Sequence, residues 1–244
     1  MKKDFFNTKR FTVVLSAVFL SAFALFFSSC DEHDPLDLDI HPGYILCDDG
    51  RVLSPEAFDE SSNVPVAVFF APLTDKHPAL AVLLDELSYI SFADTLFEQK
   101  TSGSVADYDG YLNTIALQSS KLARDSVSQR RSGKRWYCSD LGLSAFCSHY
   151  FSQSDYVPSV AELGLLYLSL PVVNPVIERC GGQPVSTVPE YAGCWYWSST
   201  EVAENTPNQA WLFSMADGSR HRTPKTNRYS ARLIVEYNPL NIEY

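Results

Sequence analysis

Ser159-Val160-Ala161-Glu162 has the spacing of a helix capping box. In such a box the serine oxygen accepts the amide three residues on, and the glutamate reaches back to the cap amide. A cap of this kind contributes about 1 kcal/mol, and it starts a helix with Leu163, Leu166 and Leu170 along one side. Asn174-Pro175 reads as a further cap and first-turn proline, with Gly181-Gly182 as the stop. After Cys194 the pattern becomes that of strands: Trp195-Tyr196-Trp197, residues 210–215 and residues 231–237, with Asp217-Gly218 turning the middle one. Helices followed by strands predict an α+β domain.

Earlier in the chain, Asp48-Asp49-Gly50 separates Tyr44-Ile45-Leu46 from Val52-Leu53, which predicts a short hairpin. Residues 64–71 (VPVAVFFA) form an unbroken β-prone apolar run, a buried strand with Pro65 near its start. Residues 79–87 suit a helix through Leu80, Leu83, Leu84 and Leu87, and suit a strand as well; pattern does not decide between them. A helix is expected over 112–130, with Leu112, Ile115, Ala116, Ser119, Leu122, Ala123 and Val127 on its small or apolar face. Leu143, Phe146, Cys147 and Tyr150 repeat that spacing in a second helix. No linker or internal repeat interrupts residues 42–237, so one domain is expected.

The amino terminus is a different kind of segment. Lys2, Lys3, Lys9 and Arg10 precede an uncharged run over 11–27, which spans about 25 Å as a helix at about 1.5 Å per residue, short for a membrane crossing. Basic residues, an apolar run and small residues before a break describe a secretory leader. The break, Phe27-Ser28-Ser29-Cys30, resembles a bacterial lipobox, in which the peptide is cut before an acylated cysteine. The expectation is a signal peptide over 1–29, lipidation of Cys30 and attachment to a membrane by more than one fatty chain. Residues 30–42 then form an acidic tether, with 31–39 reading DEHDPLDLD. Clustered acids after the lipidated cysteine resemble a surface-export signal, whereas a single aspartate there resembles a retention signal. The cluster favours an outer-membrane lipoprotein at the cell surface, with a periplasm-facing one as the alternative.

Three stretches in order carry a family resemblance. They are Gly43 with Asp49-Gly50 and the VPVAVFF strand; Tyr156-Val157-Pro158-Ser159-Val160-Ala161-Glu162-Leu163; and Tyr196-Trp197-Ser198-Ser199-Thr200-Glu201, followed by Trp211, Asp217-Gly218 and Arg232. The series resembles the Lcl C-terminal domain family, the end domain of a bacterial collagen-like adhesin. The resemblance implies a C-type-lectin-like fold over 43–238, with two to four helices packed on twisted antiparallel sheet, distantly similar to formylglycine-generating enzymes. It also implies a surface module without catalysis, in a family where some members bind sulfated glycans. Asp155-Tyr156-Val157 departs from the family's Trp and Leu at that point, and 73–137 has no counterpart. Pro158, Ser159, Glu162, Trp195, Ser198, Trp211 and Arg232 are expected to be structural: a helix start, strand aromatics packing a core, hydroxyls satisfying backbone groups, and a core arginine.

Chemistry-bearing motifs are scarce. The histidines at 33, 41, 77, 149 and 221 are scattered, and no zinc, phosphate-loop, dinucleotide or nucleophile-elbow pattern occurs, so no metal, cofactor or catalytic residue is expected. Asp107-Tyr108-Asp109-Gly110 lacks the later bidentate glutamate of a calcium loop and reads as an acidic turn into a helix. With Cys30 acylated, Cys47, Cys138, Cys147, Cys180 and Cys194 remain, an odd number. Cys180–Cys194 is one conceivable bridge, and buried free thiols are the alternative. The close cysteine pair of formylglycine-generating enzymes is missing.

With 29 acidic against 19 basic side chains, a nucleic-acid partner is not expected. Against that background Arg220, His221, Arg222, Lys225, Arg228 and Arg232 run without an intervening acid. Guanidinium groups suit carboxylate or sulfate through forked hydrogen bonds; pairing with the chain's own acids is the alternative. The expected ligand surface therefore comprises the loops around 197–208, with Trp197, Asn205 and Asn208, and the basic hairpin carrying Arg220, His221, Arg222, Lys225 and Arg228. Its partner is an anionic glycan or a surface protein; an assembly subunit of a surface appendage or envelope complex is the alternative function, and a formylglycine-generating-type enzyme a more distant one.

Overall fold

The computed structural model describes residues 39–93, 96, 98–119 and 155–238, together with 131–132, 135–136 and 142–143. These all fall within one compact unit, Asp39–Tyr244. The leader, Cys30, most of the acidic segment, Cys138, Cys147 and most of the helix expected around Leu143 lie outside the described residues.

The fold is mixed α+β. Strands β1 (Ile45–Cys47), β2 (Val52–Leu53), β3 (Pro65–Ala71) and β4 (Ala79–Ser91) precede helix α1 (Gly110–Ser119). Two-residue strands β5 (Arg131–Ser132) and β6 (Arg135–Trp136) pair with each other, and β7 (Asp155–Tyr156) leads into helix α2 (Val160–Arg179). Strands β8 (Trp195–Glu201), β9 (Gln209–Ser214), β10 (Arg220–Pro224) and β11 (Arg228–Tyr237) close the chain. The main sheet runs β10-β9-β8-β11-β4-β3-β1-β2. All its pairings are antiparallel except the short parallel contact of Ser230 with Tyr196 between β11 and β8. Further along β11, Ile234 and Val235 pair with β7.

The expected hairpin at 44–53 and the strand at 64–71 are both present. The undecided segment at 79–87 is a strand, and its position explains the ambiguity. β4 lies between β3 and β11, so Leu80 and Val82 join the core under α2, while Ala79 and Ala81 pack with Phe69 and Val235 on the other face. A strand covered on both faces loses the alternation that would identify it.

α2 begins as the sequence predicts. Glu162 donates its backbone N–H to Ser159 Oγ at 3.3 Å, and Ser159 N–H donates to Glu162 Oε2 at 2.6 Å. Leu163, Leu166 and Leu170 are buried against Val68, Phe70 and Tyr196. The second cap at Asn174-Pro175 does not exist, for α2 runs through Pro171 and Pro175 to Arg179. Asn174 is used sideways instead: its amide exchanges two hydrogen bonds of 2.9 Å with the backbone of Val185, tying the following loop to the helix. The stop at Gly181 is present, with φ +72°.

α1 corrects the expected helix face over its described part, 112–119; residues 120–130 of the expected helix lie outside the described residues. Leu112 is 66% exposed and Ile115 41%, whereas Asn113, Thr114 and Leu117 are buried. The polar residues face inward because each finds a partner there. Thr114 Oγ1 accepts Val157 N–H at 2.9 Å, and Asn113 Oδ1 accepts Ser102 N–H at 2.7 Å.

Ser198, Ser199 and Thr200 explain why two distant motifs belong together. Trp197 pairs with Leu212 and Glu201 with Ala210, so three residues of β8 bulge against one of β9. Ser198 Oγ replaces a missing ladder bond by donating to Trp211 C=O at 2.8 Å. Ser199 N–H donates to Pro158 C=O at 2.8 Å, and Thr200 Oγ1 accepts Val160 N–H, a helix-start amide without an intrahelical partner, at 3.3 Å.

Candidate functional site

β9 and β10 pair antiparallel with Trp211 opposite Arg222 and Phe213 opposite Arg220. Alternation along β10 then sends Arg220 and Arg222 to one side and His221 to the other. On the arginine side lies a cleft of about 580 Å³, lined by Gly103, Val105, Ala203, Glu204, Trp211, Gly218, Ser219, Arg220 and Arg222. The turn at its rim uses Gly218 with φ +74°, where the sequence places Asp217-Gly218. Hydrogen bonds from Ser214 and Ser219 hold the Asp217 carboxyl below its ordinary range.

Arg222 is oriented from two directions. Its guanidinium carbon lies 5.0 Å from the Trp211 ring centroid, and Nη2 donates to Glu204 Oε1 at 3.3 Å. Stacking on an indole restricts the guanidinium plane and so presents its donor fork in a fixed direction. Arg220, two residues earlier, is exposed and has no ion pair among the described residues. Trp211, expected as a core aromatic, contributes to the core and to this cleft together.

The opposite wall, Gly103 and Val105, belongs to an irregular segment held by a buried carboxylate. Glu201 Oε1 accepts Gln99 N–H at 2.7 Å, and Oε2 accepts Thr101 N–H at 2.9 Å and Thr101 Oγ–H at 3.1 Å. Lys225 Nζ completes the set by donating to Oε1. Both side chains of this ion pair are fully buried. Burial pushes the Lys225 ammonium below its ordinary range, and the bond to Glu201 opposes that shift. Gly103 rests so close to β8's continuation that a Cβ there would lie 2.6 Å from the Cβ of Ala203.

Of the eight residues expected on the ligand surface, the structure brings together Arg220 and Arg222. Lys225 is corrected from ligand contact to buried ion pair. Trp197 is also corrected: it is fully buried, donates Nε1–H to Ile90 C=O at 2.8 Å, and packs on Phe92 and Tyr229. His221 sits on the other face beside Trp195, with ring centroids 6.0 Å apart. Arg228 lies over the exposed Tyr89 ring at 5.6 Å, away from the cleft lining. Asn205 and Asn208 bond to each other at 2.6 Å and do not line the cleft. Ala203 and Glu204 fall within the loops around 197–208 expected on the ligand surface, whereas Gly103 and Val105 carry no sequence signal, since their role arises only from what they are packed beside.

Arg232 is fully buried and donates to the carbonyls of Leu83 (3.1 Å), Leu84 (2.9 Å) and Gln183. Beside it Tyr196 Oη donates to Glu86 Oε2 at 2.8 Å and accepts Ser186 N–H at 2.8 Å. Cys180 and Cys194 are not bridged: with Cys47 they are free thiols, and burial pushes Cys180 up to about 11. Among the described residues no group of three or more His, Cys, Asp or Glu is placed to hold a metal.

The fold and the cleft define an α+β domain with a partly neutralised cationic groove. No protein-family model and no curated protein sequence matches the chain.

Proposed function

We propose that the protein is an envelope lipoprotein whose folded domain is a non-enzymatic, adhesin-like binding module for an anionic glycan. In this reading residues 1–29 are the signal peptide, Cys30 carries the lipid, 30–42 are the tether, and 43–238 project the cleft from the outer membrane. The observation that carries the ligand reading is the pair Arg220 and Arg222 in one cleft of a chain with 29 acidic and 19 basic side chains. A cationic concavity in an acidic protein focuses its field on an anion, and the stacked Arg222 supplies a directed fork.

The finer architecture we infer is C-type-lectin-like, of the Lcl C-terminal kind. Support comes from the joining of early strands β1, β3 and β4 with the closing strand β11, and from the joint between the helix start and the Ser-Ser-Thr bulge.

On a column of immobilised hyaluronan, an anionic glycan with one carboxylate per disaccharide, the full-length protein is expected to be retained at low salt, and Arg220→Glu/Arg222→Glu to pass through. Equal retention removes the ligand reading. Palmitate labelling in cells is expected on the natural protein and absent from Cys30→Ser; label on the variant removes the anchor.

A second reading, an assembly subunit that binds another protein, is favoured by an apolar stripe on the outer face of α2. There Leu168 is 74% exposed and Val172 52%, with Pro171 and Pro175 exposed beside them. Capture of a defined envelope protein that Leu168→Glu/Val172→Glu abolishes would select this reading.

A further inference from the structure

The charged groups lining the cleft are two cations, Arg220 and Arg222, and one anion, Glu204. Their sum is a single positive charge. Glu204 occupies part of Arg222's donor fork, as a ligand carboxylate would. This ion pair is exposed, with side chains 48% and 67% accessible, and pairs of that kind hold weakly. Glu204 also sits on a single 3-10 turn, residues 203–205, whose side chains are not buried.

We propose that Glu204 is an internal competitor that limits the cleft to ligands bearing one negative charge, of the sugar monocarboxylate type. The inference rests on the anionic-glycan reading and narrows it. In the resting state the Glu204 carboxylate holds Arg222; a ligand carboxylate takes its place, bridging Arg222 and Arg220, and Glu204 turns out to solvent. A carboxylate is planar and matches the guanidinium fork in two bonds. The cleft volume of about 580 Å³ has room for a sugar ring beside it. A ligand with several negative charges meets the displaced Glu204 and the ionised Asp217 next to the lining Gly218, and like charges at short range oppose binding.

The test is calorimetric titration of the full-length protein at low salt with glucuronic acid, glucose, a trisulfated heparin-type disaccharide and an acetylated dipeptide with a free carboxylate. Glucuronic acid is expected to bind about tenfold more tightly than glucose, and at least as tightly as the disaccharide and the dipeptide. Glu204→Gln is expected to tighten glucuronic acid about threefold and the disaccharide by more, because removing a competitor raises affinity where removing a scaffold lowers it. Arg220→Ala is expected to weaken glucuronic acid about tenfold. Glu204→Ser, which removes the carboxylate with a different side chain, is expected to act in the same direction as Glu204→Gln. Unchanged or weaker glucuronic acid binding in both Glu204 variants overturns the competitor role. Tighter binding of the trisulfated disaccharide by the natural protein overturns the single-charge limit while leaving the anionic-glycan reading in place. Tighter binding of the dipeptide overturns the sugar class. Binding of none of the four overturns both readings.

Discussion

Glu162 shows how one side chain couples local and tertiary structure. It closes the capping box of α2, yet it is only 1% exposed and accepts a further hydrogen bond from Tyr156 Oη at 3.3 Å. Burial raises its carboxyl to about 7, against the bonds from Ser159 and Tyr156 that favour ionisation; the neighbouring Glu236 adds to the rise. The unfolded chain has an ordinary glutamate near 4.3, so between there and about 7 the folded state binds more protons. Stability therefore falls as pH rises through that window and levels off above it, by about 4 kcal/mol in all. Urea unfolding from pH 4 to 8 is expected to show this decline, and Glu162→Gln, which keeps an acceptor oxygen, to flatten it. A decline of the same size in the variant would place its origin elsewhere. The space is tight as well: a Cβ on Gly110 would lie 2.2 Å from Glu162 Oε2 and 2.8 Å from the backbone atoms Ser159 N and Val157 O, so a side chain there would force the backbone to shift.

Among the elements, the segment at 99–105 is held without regular structure by the Glu201 carboxylate at the end of β8 and by Asn113 on α1. A buried carboxylate accepting two backbone amides, a hydroxyl and an ammonium gathers β8, β10's continuation and the cleft wall at one point. Breaking one side of a buried ion pair costs about 3–5 kcal/mol. Glu201→Ala is expected to lose stability on that scale and to exchange amide hydrogens at 99–105 faster than the natural protein. Protection equal to that of the natural protein would show that other contacts hold the segment. The same elements explain what local pattern concealed. Lys225 has the look of a surface cation because its partner lies 24 residues earlier, across a chain reversal. α1 buries a face that local pattern does not predict, because Asn113 and Thr114 are polar by composition and satisfied only by tertiary partners.

At the level of the molecule, β11 joins the early strand β4 to the later strands β7 and β8. It pairs with β4 along most of its length and with β8 and β7 on its other edge. Without it the main sheet divides into β2-β1-β3-β4 and β8-β9-β10, and its contacts span much of the chain, so folding waits for the last strand. A chain ending before Arg228 is expected to lack a cooperative thermal transition and the near-ultraviolet signal of Trp197, whose neighbour Tyr229 would be gone. A cooperative transition in the truncated chain would show that the earlier strands hold together unaided. What the sequence determined by itself is whatever depends on neighbours a few residues away: the capping box, the turns at Asp49-Gly50 and Asp217-Gly218, the run of 65–71, and the alternation that puts Arg220 and Arg222 on one side. Tertiary structure alone decided which face of α1 is buried, that β4 is a central strand, that Lys225 is an interior group, and that Gly103 and Val105 share a cleft with the arginines. The reason is range: backbone geometry and capping act over one or two turns, whereas burial and charge pairing are set by residues that meet only after the sheet has formed.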